Sequence, residues 1–396
     1  MKKATAIILA IILLAGIFAF PAFADTFEDT ETDDVVLDSP ELDVNAKSAI
    51  LMEASTKKII YQKNSDEALP PASVTKIMTL LLVMEAISAS QISTEDTVSI
   101  SETAASMGGS QVFLKEGERM SVEELLKCTV IASANDAAVA LAEHIAGSES
   151  AFVSMMNTKA KKMGLKNTAF ENVTGLDDDT QYHLTSAADI AMMSAELIKY
   201  DLITKYSSTW QDTIRDGEFV LTNTNRLVRY YDGCNGLKTG STDKAGFCVS
   251  TTAKRDGMQL IAVVMGADTK EDRNRGIRAM LDYGFANYAV FEACEDAIEK
   301  TAVHGSLITE TELFRTHFSA LVPKSKKNSI EEIYELPEYI SAPTEAGATV
   351  GKIVYKLDGE KIGETSVIIK ENLEKIGFWD FFIIMLDKIF INKSKK

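Results

Sequence analysis

Three short motifs follow one another along the chain: Ser73-Val-Thr-Lys76, Ser133-Ala-Asn135 and Lys238-Thr-Gly240. A serine hydroxyl is a weak nucleophile and needs an adjacent base. The four histidines, His144, His183, His304 and His317, lie in no Ser and Asp context that would build a histidine-based triad. The candidate base is therefore Lys76, one helical turn beyond Ser73 and on the same face. A lysine serves as a base only when its pKa is lowered. Burial and a second cation, for which Lys238 is the candidate, both push it that way. Ser133 could then relay a proton and Asn135 hold a substrate amide. A helix beginning at Ser73 would aim its own N–H at a developing oxyanion. Gly240 leaves room beside Lys238 and Thr239 for a substrate backbone. Each motif alone has a plainer explanation: Ser73 as a helix cap, Lys76 as a solvated residue, Ser133 and Asn135 as a second cap, Lys238 as a surface strand residue. S-x-x-K even recurs across a turn at Ser55 and Lys58. The signal lies in the three motifs together, in this order and in these contexts.

The elements that must position them are legible in outline. Ala49–Ala54 and Lys58–Gln62 read as two strands joined by a short turn. Pro70-Pro71 breaks the chain, and Ser73 opens an apolar helix to about Ile87. Ser121-Val-Glu-Glu124 is a capping box before a second helix. Further helices are expected from Asp136 to Ile145, stopped by Gly147; from about Glu149 to Met163, stopped by Gly164; and from near Ser186, with Asp189 in the first turn. Gly236–Ser241 and Gly246–Ala253 read as paired strands, followed by a strand at Leu260–Gly266 and a helix from Arg273 to about Tyr288. Strands, then helices, then strands predict one α+β domain over residues 46–290, its sheet drawn from both ends of the segment. Residues 291–370 change character. Short alternating runs rich in Thr, Val, Ile and Tyr predict a small all-β sandwich, with a hairpin over Val350–Ile369 turning at Asp358-Gly359.

The two ends point outside the cytoplasm. Residues 1–24 combine Lys2 and Lys3, an apolar run from Ile7 to Phe20 and the small-x-small site Ala22-Phe23-Ala24, the pattern of a secretory signal peptide. Its removal takes the net charge from −17 to −19. That balance argues against nucleic acid as a partner. Residues 25–45 read as an acidic flexible leader, with nine acidic residues and no Lys or Arg between Asp25 and Asp43. In residues 371–396, Ile376–Ile391 has 12 apolar residues of 16, with Asp380 and Asp387 on one edge, before Lys393, Lys395 and Lys396. This reads as an amphipathic helix lying in the membrane interface, its lysines near anionic lipid. Docking on its own protein and a short membrane span are the alternatives. Cys128, Cys234, Cys248 and Cys294 lack metal-ligand spacing and read as small buried residues, with a Cys234–Cys248 disulfide as the alternative. No P-loop, G-x-G-x-x-G fingerprint or zinc motif is present, so no cofactor and no metal is expected.

The S-x-x-K, S-x-N and K-T-G triplet resembles the signature of penicillin-binding proteins and serine β-lactamases. The surrounding stretches Pro70–Lys76, Phe170–Leu176, Asn235–Gly240 and Gly266–Arg273 resemble the low-molecular-mass group, the serine D-alanyl-D-alanine carboxypeptidases. The likeness covers residues 46–290 and, more loosely, continues to the C-terminal helix. It implies an α+β, penicillin-binding protein/β-lactamase-like transpeptidase domain, followed by a small all-β domain and a membrane-associated helix at the outer face of the cytoplasmic membrane. It further implies Ser73 as acyl-enzyme nucleophile, Lys76 as general base, Ser133 as proton relay and Asn135 as binder of the substrate amide. Lys238 and Thr239 would receive the terminal carboxylate of D-Ala, Arg273 matches a family arginine near that carboxylate pocket among the substrate-binding residues, and the N–H groups of Ser73 and Ser241 would form the oxyanion hole. The partners implied are peptidoglycan stem peptides, with β-lactams as covalent inhibitors. The chain departs from some relatives in carrying Ser241 where they have His after K-T-G, which bears on the deacylation rate. A D,D-endopeptidase using the same residues and an inactive wall-binding scaffold are the competing readings. A β-lactamase is disfavoured, since no E-x-x-L-N run between Asn135 and Lys238 supplies a deacylating glutamate.

Overall fold

A computed structural model describes residues 41–177 and 180–391, the last five by their backbone alone. The expected signal peptide, most of the acidic leader and the lysines of the basic tail lie outside these residues.

The first two strands, β1 (Ser48–Glu53) and β2 (Ile59–Lys63), pair antiparallel. A single 3-10 turn, Ala72–Thr75, then leads into α1 (Lys76–Ser88). The sequence predicts an α-helix from Ser73, but Pro71 has no N–H and the chain first closes tighter i to i+3 bonds, such as Val74 N–H to Pro71 O at 3.2 Å. Helices α2 (Val122–Ile131), α3 (Asn135–Ala146), α4 (Glu149–Lys162) and α5 (Ala187–Leu197) follow. Their ends are set locally. Ser121 and Glu124 form the reciprocal capping box of α2, and Ser148 and Ser186 cap α4 and α5. Gly147 stops α3 in the left-handed region at φ +79°.

Three long strands complete the sheet: β3 (Cys234–Thr242), β4 (Gly246–Arg255) and β5 (Met258–Ala267). The order is β2-β1-β5-β4-β3, so strands from the two ends of the segment meet at β1 and β5, from Ser48 opposite Met265 to Glu53 opposite Leu260. Alternate residues of β5 face opposite ways. Ile261, Val263 and Met265 join the core shared with α1 to α5. Leu260 and Val264 meet Gly284 and Gly276 of α6 (Lys270–Asn287), where the missing Cβ atoms let that helix lie close on the other face. Helix α1 is buried on nearly all sides, as a central helix must be.

The chain passes directly from α6 into β6 (Tyr288–Ala293), inside which the expected boundary at residues 290 and 291 falls. Strands β7 (Asp296–His304), β8 (Glu310–Arg315), β9 (Phe318–Pro323), β10 (Glu331–Glu335), β11 (Tyr339–Ser341), β12 (Thr349–Leu357) and β13 (Glu360–Ile368) follow. Six form a sheet in the order β10-β12-β13-β8-β7-β11, and β6 with β9 forms a two-stranded ribbon. Tyr355 joins the two layers. Its ring stacks on Phe318 of the ribbon at 4.2 Å and meets Phe291 edge-on at 5.6 Å. The hairpin β12–β13 turns at Asp358-Gly359, where both residues have positive φ.

Two expected segments are shorter than read. The leader ends before residue 45: Val44 is buried beside Gly276, and its carbonyl accepts from Lys63 Nζ at 2.9 Å. The C-terminal segment begins its helix, α7 (Phe378–Ile391), only at Phe378. Before it, Leu373 is buried in the β-domain core and pairs with Thr344. Cys234 and Cys248 are free thiols, not a disulfide. They sit at different levels of the β3–β4 pair, opposite Ala253 and Gly240 respectively. Cys128 is buried as well, but Cys294 is exposed, contrary to its reading as a buried residue.

Candidate active site

The site lies where the 3-10 turn, the α2–α3 junction and strand β3 converge. The 3-10 geometry stacks residues i and i+3, which sets Lys76 Nζ 3.1 Å from Ser73 Oγ. Lys76 is fully buried, whereas Ser73 retains partial exposure. Ala72, just before the nucleophile candidate, has φ +48°. Its Cβ lies against β3, where a Cβ built on Gly240 would fall 3.0 Å from it and 2.7 and 2.9 Å from the backbone nitrogens of Ser73 and Val74. Gly240 is thus the point at which strand and turn touch, and a side chain there would separate them.

Ser133 occupies the left-handed region at φ +64° between α2 and α3. This reversal turns its hydroxyl toward Lys238, whose Nζ donates to Ser133 Oγ at 2.8 Å and to Thr239 O at 3.0 Å. Asn135 starts α3 and lies on the other lysine. Its Oδ1 accepts from Lys76 Nζ at 2.6 Å, and its Nδ2 donates to Gly108 O at 2.7 Å. The amide assigned to substrate therefore holds the base candidate. Thr239 Oγ1 donates to Thr224 Oγ1 at 2.8 Å. Ser241 is exposed at the outer end of β3. Arg273 is buried on α6, with Nη1 3.5 Å from Cys248 O and two nitrogens on Asn274 Oδ1.

Both lysines are buried, and like charges meet there. Burial holds Lys76 well below its ordinary range, and the Lys238 ammonium adds to the effect against the opposing carboxylate of Asp136. Lys238 is brought down to about 7 by burial and then by the charge of Arg273. Carrying two ammonium groups in one dry site costs more than carrying one, so the pair favours the release of a proton.

Several contributors escaped the sequence reading. The carbonyl of Thr174 accepts from Lys76 Nζ at 2.8 Å. The stretch Phe170–Leu176 carried a likeness but no role. Asn172 shapes it, since its Oδ1 accepts from Thr174 N and from Gly175 N at 2.7 Å, the side-chain turn expected of an asparagine. Gly175, at φ +85°, packs so close to Ala72 that a Cβ would fall 1.8 Å from its carbonyl oxygen. Asp136 is buried and accepts from Val112 N at 3.0 Å and Leu114 N at 3.1 Å, which ties the loop carrying Gly108 to α3. The signal available in the sequence is an acid directly after the S-x-N motif, at the start of an apolar helix.

A serine against a buried, uncharged-prone lysine, flanked by a second lysine on the edge strand of a five-stranded sheet, defines a serine hydrolase of the penicillin-binding protein fold. Comparison with known proteins narrows the class: residues 34–269 match the family described as D-alanyl-D-alanine carboxypeptidase, peptidase S11, and residues 312–375 match the penicillin-binding protein 5 C-terminal domain. The chain is 45% identical over 348 residues to the D-alanyl-D-alanine carboxypeptidase DacF of Bacillus subtilis, covering 86% of this chain and 89% of that one. It aligns with the crystal structure of penicillin-binding protein 5 from Haemophilus influenzae at a TM-score of 0.74 and 32% identity, over 86% of this chain and all of that one. Penicillin-binding protein D2 of Listeria monocytogenes in its ampicillin-bound form aligns at a TM-score of 0.58 and 30% identity, over 62% of this chain and all of that one. The chain belongs to the D-alanyl-D-alanine carboxypeptidase family, peptidase S11, a family of serine hydrolases.

Proposed function

We propose that this carboxypeptidase is exported, removes the terminal D-Ala from peptidoglycan pentapeptides through an acyl-enzyme on Ser73, and is acylated there by β-lactams. The observation that carries the mechanism is the contact of Lys76 Nζ with Ser73 Oγ at 3.1 Å inside a buried site. A neutral amine has two N–H donors and one lone pair. The three partners of Lys76 suit that count: Asn135 Oδ1 and Thr174 O accept, and the lone pair takes the Ser73 proton. Ser73 Oγ then attacks the carbonyl of the D-Ala–D-Ala bond. The developing oxyanion is held by the N–H groups of Ser73 and Ser241. Ser133, bonded to Lys238, relays the proton to the leaving amine, and D-Ala departs. Water then hydrolyses the ester on Ser73. Lys238 and Thr239 receive the substrate carboxylate, and the buried guanidinium of Arg273 lends it positive potential. Asn135 exchanges its bond to Lys76 or Gly108 for the substrate amide.

The localisation rests on the two ends. Residues 1–24 have the signal-peptide pattern. Among the described residues no helix is long and apolar enough to cross a membrane. The 14 residues of α7 leave Phe378, Trp379, Phe381 and Ile383 exposed, which suits a helix lying in an interface.

Mass spectrometry after incubation with penicillin tests the mechanism. An adduct on the Ser73 peptide, lost in Ser73→Ala, is the expected result. Labelling that survives in Ser73→Ala refutes it, and a parent protein that leaves the drug untouched points to a scaffold. Defined muropeptides then set specificity: faster cleavage of a cross-linked dimer than of monomeric pentapeptide would make the enzyme an endopeptidase.

A further inference from the structure

His183, which has no place in a triad, is buried directly behind the nucleophile turn. Its Nε2 lies 2.7 Å from Thr75 Oγ1. The Thr75 hydroxyl has one proton and donates it to Ala72 O at 2.8 Å. The imidazole must therefore supply the proton of the His183–Thr75 bond from Nε2. The other ring nitrogen agrees, since Nδ1 accepts from Glu171 N at 3.0 Å. The tautomer is set from both sides, and Phe170 closes the ring in edge-on at 5.8 Å.

The two segments joined by this ring meet at the reacting atoms. Thr75 and Ala72 belong to the turn whose left-handed Ala72 aims Ser73. Glu171 opens the loop whose Thr174 carbonyl holds Lys76 and whose Val173 carbonyl accepts from Thr79 of α1 at 2.8 Å. Gly175 of the same loop lies against Ala72. A shift of loop relative to turn moves the acceptor of Lys76 relative to Ser73. Burial holds His183 at about 4, with Glu171 and Asp177 opposing and Lys244 assisting, so the ring stays neutral at working pH.

We propose that His183 is a positioning residue for acylation: through Thr75 on one side and the Glu171 backbone on the other, it clamps the nucleophile turn to the loop that orients Lys76. This rests on the acyl-enzyme reading of Ser73 and deepens it. His183 touches neither Ser73 nor Lys76 through any hydrogen bond described, and acts through the backbone that carries them.

The test uses the full chain, penicillin as probe, and rapid-quench measurement of the acylation rate at saturating and limiting drug, beside thermal melting. His183→Phe keeps a ring and loses both hydrogen bonds. Thr75→Val removes only the hydroxyl, and Thr75→Ser restores it. His183→Phe and Thr75→Val are expected to slow acylation about 10- to 100-fold at saturation, the scale of a small misplacement of reacting groups. The half-saturating drug concentration should change little, the adduct should still reach full stoichiometry on Ser73, and Thr75→Ser should recover the parent rate. The double variant should be no slower than the worse single one, because the two residues serve one clamp. The proposal is overturned if Thr75→Val melts lower yet acylates within about twofold of the parent, or if Thr75→Ser is as slow as Thr75→Val. Should His183→Phe not fold, the Thr75 pair decides alone. Absence of any adduct in the parent, with the drug left intact, overturns the acyl-enzyme reading itself, a result distinct from a slow but complete reaction in the variants.

Discussion

The two halves of the molecule share surface ion pairs but differ in the charge they bury. In the α+β half, Lys76 and Lys238 are buried with no carboxylate in contact among the described residues, and their partners are hydroxyls, an amide and carbonyls. In the β half the charges stand at the surface in pairs, such as Lys352 with Glu335 and Glu364, Lys326 with Asp358, and Lys370 with Glu295. Its interior is apolar and built around Tyr355. Exposed pairs of that kind contribute about 0–1 kcal/mol each and little else. Unpaired buried amines are costly to fold around, and they occur where the perturbed pKa has a use. The contrast marks the α+β half as the place of chemistry before any motif is consulted, and the β half as structure.

The contrast should break most visibly at Lys76. Lys76→Met keeps the volume and removes the proposed base, so penicillin acylation should fall about 10^2–10^4-fold while circular dichroism stays that of the parent. Tyr355→Ala is the opposite case. It should cost about 3–5 kcal/mol of stability, read by urea unfolding, and leave the acylation rate at 25 °C unchanged; a large loss of rate would show that the halves are not separable. Gly240→Ala places a Cβ on the Ser73 and Val74 nitrogens and should slow acylation about 10^2-fold with the β half untouched.

A subtler effect concerns pH. Lys238 is lowered from 10.5 to about 7 in the fold. The unfolded chain thus holds this proton over the interval between those values while the folded one has released it. Stability must rise with pH there, and the contribution is lost below about 7. Urea midpoints at pH 7 and pH 9.5 should diverge less in Lys238→Met than in the parent. Equal divergence would mean that the amine is not perturbed. The smallest change is expected at the surface: Lys352→Ala should shift stability by under about 1 kcal/mol, and a larger shift would mean that the surface network of the β half is cooperative.

Much of this was legible along the chain. The capping box at Ser121 and Glu124, the stop at Gly147 and the turn at Asp358-Gly359 depend on residues within about four positions of one another, so a linear reading finds them. The three motifs were legible as well, and the structure brings them together. Less legible was the 3-10 turn, since a proline before an apolar helix does not announce how the first bonds close. Asn135 was assigned to substrate alone, and its hold on Lys76 spans 59 positions. His183 was set aside for lack of triad context, because no local pattern marks a histidine whose partners are a hydroxyl and a backbone N–H.

By itself the sequence determined the residue types, their order, the helix ends and the alternation that builds each strand, because these follow from interactions between near neighbours. Only the tertiary structure decided which amines lose their ordinary pKa. The lowered pKa of Lys76 needs burial and the nearness of Lys238, its orientation needs Thr174 at a separation of 98, and Lys238 reaches Ser133 across 105. Desolvation and like-charge repulsion exist only once distant segments have packed together and excluded water.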